Sequence, residues 1–353
     1  LRQYAPIFVF FILQKAHLRF CATNVTRYFK NTVSLAIILN EMLKKSFITV
    51  LLLLIFSVLR AQDGTSAFQF LKLPFSAHAS ALGGENISII EDDLTMAVQN
   101  PALLSCVADK TLNLNYMLYM DGINVGGAAF ARTAGERSTW AVTAQYVNYG
   151  ELKETTEENI EIGTFSAKDI SISGIYTYDL SDYWSGGVRT NFIYSHYDKY
   201  SSFAIGIDLG LNYYHQESDF SASLVARNLG GQLKAFEERH EKLPADVQLG
   251  FSKRLAHAPF RLSFTLHDLT QWSTSATAAN NFGKKLLNHI ALGIDFLPTN
   301  NFYLAAGYNF RRAEQVPASS GTGIQLKRLK LGMAYAKYHV SSSSLIFNLS
   351  YTL

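Results

Sequence analysis

The segment Tyr194-Ser195-His196-Tyr197-Asp198 brings a hydroxyl, an imidazole and a carboxylate together in five consecutive residues. Those groups could support nucleophilic acyl transfer, in which a base takes the serine proton and an acid orients the base. His267-Asp268 places a second imidazole beside a carboxylate. His215, His240, His257, His267, His289 and His339 could be searched for a metal site, and Cys106 for a thiolate. Each chemistry requires side chains that converge. Neighbours on one strand project to opposite faces, so Ser195 and His196 cannot pair directly on a strand, and His267-Asp268 meets the same obstacle. An aromatic anchor at the end of a strand is the simpler reading of 194–198. The histidines are scattered. His267 and His289 fall on neighbouring strands facing inward, which suits packing better than ligation. Cys21 lies upstream of the processed chain, so Cys106 stands alone and can form neither an internal disulfide nor a thiolate cluster. No catalytic residue, cofactor site or metal site is therefore expected.

Strands must position these residues. In Leu345-Ile346-Phe347-Asn348-Leu349-Ser350-Tyr351-Thr352-Leu353, the residues Phe347, Leu349, Tyr351 and Leu353 alternate with Asn348, Ser350 and Thr352. Alternation of this kind places apolar and polar side chains on opposite faces. A bare apolar-faced strand is an aggregation hazard in a soluble protein. In a membrane barrel, the same strand closes onto the first. Phe347, Leu349, Tyr351 and Leu353 are thus read as the outward face of a closing strand and as an assembly signal. The final Leu353 departs mildly from the usual terminal aromatic.

Composition agrees. Charged residues make up 17% of the chain, against roughly 25% in soluble domains. Aromatics make up 13%, with 19 Tyr and 24 Phe, and the formal net charge is only +3, which gives no sign of a nucleic-acid surface. Beyond Leu59 no apolar run reaches the roughly 18 residues of a spanning helix.

From Thr111 onward, alternating segments recur. Phe203, Ile205, Ile207, Leu209, Leu211 and Tyr213 oppose Ser202, Ala204, Gly206, Asp208, Gly210 and Asn212. Arg261, Ser263, Thr265 and His267 share one face of a segment. His289, Ala291, Gly293 and Asp295 share one face of another. The inward set is small and polar with charges of both signs, which describes a crowded lumen. A first division gives thirteen segments, an odd number, whereas bacterial single-chain barrels use even numbers. The segment 321–338 resolves the conflict. Ile324 and Leu326 share one parity, while Leu329, Leu331, Met333 and Tyr335 share the other. A strand cannot change face without a bulge or turn, so Lys327-Arg328 is assigned a tight turn and the count becomes fourteen. The expected fold class is all-β: a transmembrane antiparallel barrel of about 14 strands preceded by a plug. The long connections 150–167, 229–245, 271–287 and 312–320 then fall on the outer side. The short ones 181–183, 216–218, 256–259, 298–301 and 327–328 fall on the periplasmic side.

The N-terminal region divides into three. Met42-Leu43-Lys44-Lys45, the apolar run 47–59 and Ala61-Gln62 read as a signal peptide over 42–61. Residues 1–41 are read as an upstream extension, with a membrane anchor at 7–13 as the alternative. Residues 62–110 form the plug, or hatch, and 111–353 the barrel. The hatch carries Ala81-Leu82-Gly83-Gly84, the acidic turn Glu91-Asp92-Asp93, and Asn100-Pro101-Ala102-Leu103-Leu104. There Pro101 fixes φ in a cap-like turn.

Leu73-Pro74-Phe75-Ser76-Ala77-His78-Ala79-Ser80-Ala81-Leu82-Gly83-Gly84, Asp92-Asp93 and Asn100-Pro101-Ala102 resemble the hatch of FadL-like outer-membrane proteins. More narrowly, the chain resembles the PorV/PorQ group of type IX secretion barrels, and its hatch the PorQ type. Asn228-Leu229-Gly230 followed by Leu243-Pro244 and Gly250 resembles that group's mid-barrel motif. The resemblance implies an outer-membrane anchor in an attachment complex of a Gram-negative bacterium. It would hold a PorZ-like surface protein, alongside PorU and PorV, so that secreted cargo is processed and joined to anionic lipopolysaccharide. The surroundings would be outer-membrane lipid and lipopolysaccharide. The alternative is a FadL-like transporter of a hydrophobic solute.

Two loops are candidates for a partner. Residues 151–161 hold Glu151, Glu154, Glu157, Glu158 and Glu161, which read either as a solvated loop or as a negative dock for a basic partner. In 229–245, Phe236 lies among Lys234, Glu237, Glu238, Arg239, Glu241 and Lys242, an arrangement common at interfaces.

Overall fold

The computed structural model describes residues 66–353 except 121, 157, 159, 238–239, 271–281, 313–316 and 339–342. The signal-peptide and upstream readings, together with Glu157, Glu238, Arg239 and His339, lie outside the described residues. No helix among the described residues is long and apolar enough to cross a membrane. The crossing is made by strands.

Among the described residues fourteen strands close into one antiparallel barrel in chain order. They are β1 (Thr111–Met120), β2 (Ile123–Thr133), β3 (Ser138–Thr155), β4 (Glu161–Asp179), β5 (Trp184–Tyr197), β6 (Tyr200–His215) and β7 (Phe220–Lys234). The series continues with β8 (Asp246–Arg254), β9 (Phe260–Leu266), β10 (Ile290–Thr299), β11 (Phe302–Asn309), β12 (Ala318–Leu326), β13 (Leu329–Ala336) and β14 (Ser344–Thr352). Closure joins β1 to β14, from Thr111↔Thr352 to Leu118↔Leu345. The barrel has no open edge, which satisfies every strand's backbone groups inside a membrane.

Alternation sorts the faces as expected. Leu114, Tyr116, Ile207, Leu262, Leu304 and Phe347 stand on the exposed outer wall, while Asn113, Ser202, Asp208, Asn212, Ser263 and Asp295 are buried in the lumen. The parity change falls at Lys327-Arg328, where Leu326 pairs with Leu329 across a two-residue turn and Lys327 adopts φ 54°. The localisation is the outer membrane of a Gram-negative bacterium, and the exposed apolar belt is the lipid face.

Phe347, Leu349, Tyr351 and Leu353 all lie on that belt, Tyr351 being 40% exposed. Replacing Tyr351 with Asp is expected to reduce the amount of folded, heat-modifiable barrel in the outer membrane. The cost for a basic residue at the midplane is about 2–4 kcal/mol, and less for an acidic one or near an interface. An unchanged level of folded barrel would remove this residue from the assembly signal.

Three boundaries differ from the sequence reading. The stretch 150–167 is not a loop. β3 and β4 continue to Thr155 and from Glu161, pairing Glu151 with Ser166 and Glu154 with Gly163. A bulge after Asn148 separates this extension from the barrel wall. Beyond Asn148 β3 has lost β2, and β4 meets β5 only from Ala167, so the extension is a two-stranded projection. β7 likewise runs through Asn228-Leu229-Gly230 to Lys234, so the 229–245 loop begins as strand. β9 stops at Leu266, leaving His267-Asp268 in a connection where Asp268 adopts φ 54°.

Candidate functional site

The hatch fills the lumen. It comprises a 3-10 turn at Gln69–Lys72, helix α1 (Ala77–Ala81), helix α2 (Leu94–Gln99) and a 3-10 turn at Pro101–Cys106. Side-chain caps start three of these elements: Ser76 Oγ accepts from the Ala79 amide, Asp93 from Thr95, and Asn100 from Ala102. Asn100 also donates through Nδ2 to the Ile87 carbonyl, 2.8 Å away. The capped Asn100-Pro101 turn expected from sequence is thus present, and it is tied across the hatch as well.

Small lumen residues have a specific purpose: they seat hatch backbone. A Cβ on Gly187 would lie 2.3 Å from the Pro101 carbonyl carbon, and one on Gly210 would lie 2.2 Å from Asn100 Oδ1. A Cβ on Gly307 would lie 2.2 Å from the Gly83 nitrogen. Gly83 itself has φ 95°, which an L side chain rarely adopts. Its amide donates to Ser319 Oγ at 3.0 Å, and its carbonyl accepts from Asn309 Nδ2 at 3.1 Å. Gly84 returns its amide to the Ala79 carbonyl at 2.8 Å. Leu82 fills the space above Gly293, and the Ala102 carbonyl accepts from Ser185 Oγ at 3.1 Å.

The mid-barrel motif serves the same packing. Asn228 interrupts the β6–β7 ladder in a left-handed conformation at φ 54°. Its amide donates to Asp208 Oδ1 at 2.6 Å, and its side chain donates to the Pro244 carbonyl at 3.1 Å. Gly230 approaches the Ile205 carbonyl too closely for a Cβ, Gly250 faces Ile87, and Leu243 is buried. Leu229 pairs with Ile207 on the neighbouring strand.

Ion pairs lock the other side of the hatch. His78, 1% exposed, lies between Glu91 Oε1 (2.6 Å from Nδ1) and Asp295 Oδ1 (2.8 Å from Nε2). Its ring stacks on Tyr303 at 3.9 Å. Arg261 donates to Asp295 at 2.8 Å and to Glu91 at 3.3 Å. Burial disfavours the imidazolium, but the Glu91 and Asp295 carboxylates outweigh it and hold the His78 pKa up at about 10. Burial would raise the Glu91 carboxyl, yet His78 and Arg261 bring it below the usual range. Asp92 accepts from the Ala108 amide at 2.8 Å and pairs with Lys330 of the wall. Higher up, Lys72 meets Asp268 at 2.7 Å, and Arg311 joins the same carboxylate.

Alternation along the chain puts Arg261 and Asp295 on the inward face but gives neither a partner. His78 was missed as a member. The available signal was the cost of an inward carboxylate in an apolar-walled strand, which demands a cation.

Phe236, named above as a candidate partner residue, is half-buried. It turns inward, with ring centroids 6.0 Å from Phe68 and 5.3 Å from Tyr197, while the Ala67 amide donates to the Lys242 carbonyl at 3.1 Å. This loop closes the mouth over the start of the hatch. Glu154 and Glu158 remain on the projecting β3–β4 hairpin.

Ser195 is buried against the lumen, and Tyr149 and Tyr197 donate to Asp169 beside it, at 2.6 and 2.8 Å. His267 Nδ1 lies 3.0 Å from Asp268, and His289 Nδ1 lies 2.9 Å from the His267 carbonyl. Cys106 is half-buried beside Ser105, and burial pushes its thiol up to about 11. These groups are packed rather than arranged around a reacting centre.

No protein-family model matches the chain, and no curated protein matches it in sequence. Solved structures match its fold. The toluene transporter TodX of Pseudomonas putida superposes with a TM-score of 0.52 at 11% identity, over 78% of this chain and 97% of that one. The monoaromatic hydrocarbon channel CymD superposes with a TM-score of 0.53 at 13% identity, over 79% of this chain and 97% of that one. At such identity the likeness is one of fold: the chain has the architecture of FadL-like outer-membrane barrels.

Proposed function

We propose that this barrel is a plugged outer-membrane anchor that holds a partner protein at the cell surface. The observation that carries this reading is the seating of hatch backbone on wall backbone at Gly187 and Gly307, with the Asn100 side chain seated on Gly210. A conduit for an acyl chain or aromatic solute needs an apolar passage through that layer. The cavity of about 280 Å³ beside the hatch sets His78, Glu91, Asp93, Arg254, Arg261 and Lys330 among apolar residues such as Ile90 and Leu297, so a solute there would meet buried charge. Meanwhile the β3–β4 extension presents Glu151, Glu154 and Glu161 on strands paired only with each other. It offers negative charge to a basic surface. The resemblance of the hatch and mid-barrel motifs to type IX secretion barrels supplies the partner: a PorZ-like surface protein, with PorU and PorV in the same complex.

The structural likeness favours a second reading more than the first. TodX and CymD carry aromatic hydrocarbons, and here Phe68, Phe70, Met117, Val125 and Ile193 form an apolar cluster within the barrel. The second reading is transport of a hydrophobic solute that enters there.

Deleting residues 154–160 separates the two. The deletion removes only hairpin that projects beyond the wall, so the barrel should stay heat-modifiable. Affinity purification from native outer membranes should then lose the surface partner, and secreted cargo should accumulate unprocessed. If every co-purifying protein is retained, and toluene or fatty-acid uptake depends on an intact barrel, the transport reading replaces the anchor.

A further inference from the structure

We propose that the cavity at the short-turn end of the barrel is a binding site for a small organic anion, a carboxylate or phosphate monoester, recognised by Arg254 and Arg261. The two arginines occupy directly paired positions on β8 and β9, and both line this cavity of about 280 Å³. Like charges placed directly opposite on one sheet face repel, so the pairing needs an anion nearby.

Protein carboxylates supply that anion on one side only. Glu91 and Asp295 hold Arg261. Glu91 is shared with His78, Asp92 is committed to Lys330, and Asp93 caps Thr95. Among the described residues the Arg254 guanidinium donates to the Asn300 amide oxygen alone, at 3.3 Å. Among the described residues no carboxylate pairs with it. A guanidinium presents a planar fork of donors suited to two oxyanion oxygens.

The remaining lining suits such a ligand. Asn301 and Gln325 add amide groups at the rim, while Ile90, Leu297 and Tyr303 provide an apolar floor for its carbon skeleton. The cavity lies at the small end of the range for ligand pockets, roughly 300–1,000 Å³, which limits the ligand to about the size of an amino acid or a sugar phosphate. Asn300 and Asn301 form the β10–β11 turn, so the rim faces the compartment on the short-turn side, the periplasm.

Isothermal titration of the purified full-length barrel in detergent tests this with two probes, inorganic phosphate and acetate, each at ionic strength matched with chloride. Saturable binding of phosphate alone identifies a phosphate-ester site. Binding of both identifies a site that accepts carboxylates. Arg254→Met keeps the alkyl stem and should weaken binding at least tenfold, with Arg254→Lys in between. Should Arg254→Met fail to fold, Asn301→Asp places a carboxylate at the rim and should weaken binding by at least as much. The proposal is overturned if neither probe binds saturably, or if a folded Arg254→Met or Asn301→Asp barrel binds as the wild type does.

Discussion

Replacing Asp295 with Ala is expected to loosen the hatch while leaving the fourteen-strand wall in place. Asp295 is fully buried and takes hydrogen bonds from both His78 and Arg261. Without it two cations remain buried with only Glu91 between them. Removing one partner of a buried pair costs about 3–5 kcal/mol, because the charge left behind has neither water nor a counter-ion. The wall has its own closed ladder, so the loss should fall on the docking of α1. Trypsin cleavage after Lys72 and single-channel conductance are the measurements. Both should rise in Asp295→Ala and rise less in Asp295→Asn, which keeps a hydrogen-bonding side chain. Unchanged protease protection in Asp295→Ala would show that the glycine seats alone hold the hatch.

The same cluster sets a pH dependence. The His78 pKa lies above its unfolded value, at about 10. Its contribution is therefore complete below the ordinary histidine range and is lost as pH rises through about 10. The carboxyl of Glu91 is shifted the other way, so its contribution is present above the ordinary glutamate range and is lost as pH falls. Hatch protection should be greatest between the ordinary glutamate and histidine ranges, decline as pH rises from there through about 10, and weaken again as the medium turns acid. His78→Gln should abolish the alkaline limb.

Substituting Gly307 or Gly187 with Val is expected to have the second large effect. At both sites the added carbon would meet hatch backbone, within 2.2 Å of the Gly83 nitrogen and 2.3 Å of the Pro101 carbonyl carbon. Backbone cannot swing aside as a long side chain can. Overpacking of cores typically costs about 1–3 kcal/mol and occasionally more. The hatch must shift out of its seat or the strands must part. Gly174 on β4 is the control, since a Cβ there meets nothing within 4 Å, and Gly174→Val should behave as the wild type. Heat-modifiable mobility reports the wall, and hydrogen exchange at 77–107 reports the hatch. Wild-type protection of the hatch in Gly307→Val and Gly187→Val would remove the argument that the lumen is sealed at those positions.

Much of the wall was legible in the sequence. The closing strand, the inward and outward sets of β6, and the face change at Lys327-Arg328 all follow from a period of two that is fixed by backbone pleating. That rule is local, so nine residues at 345–353 sufficed to show an apolar face beside a polar one. The rule fails where burial no longer enforces it. Past Asn148 both faces of β3 meet water, alternation disappears, and a Glu-rich projecting hairpin looked like a loop. The direction of Phe236 was hidden for a related reason: no periodicity fixes where a loop side chain points, and only the structure places its ring beside Phe68 and Tyr197. The composition of the lumen was visible as small residues, but not their purpose. Only the tertiary structure brings Gly307 to Gly83 and Gly187 to Pro101, and sets His78 against Asp295, which lies 217 residues away in sequence. Those contacts arise from closing the barrel around the hatch. No local propensity encodes them, because the energy that selects them belongs to the closed lumen, where an unpaired charge or an extra carbon has no water to retreat into.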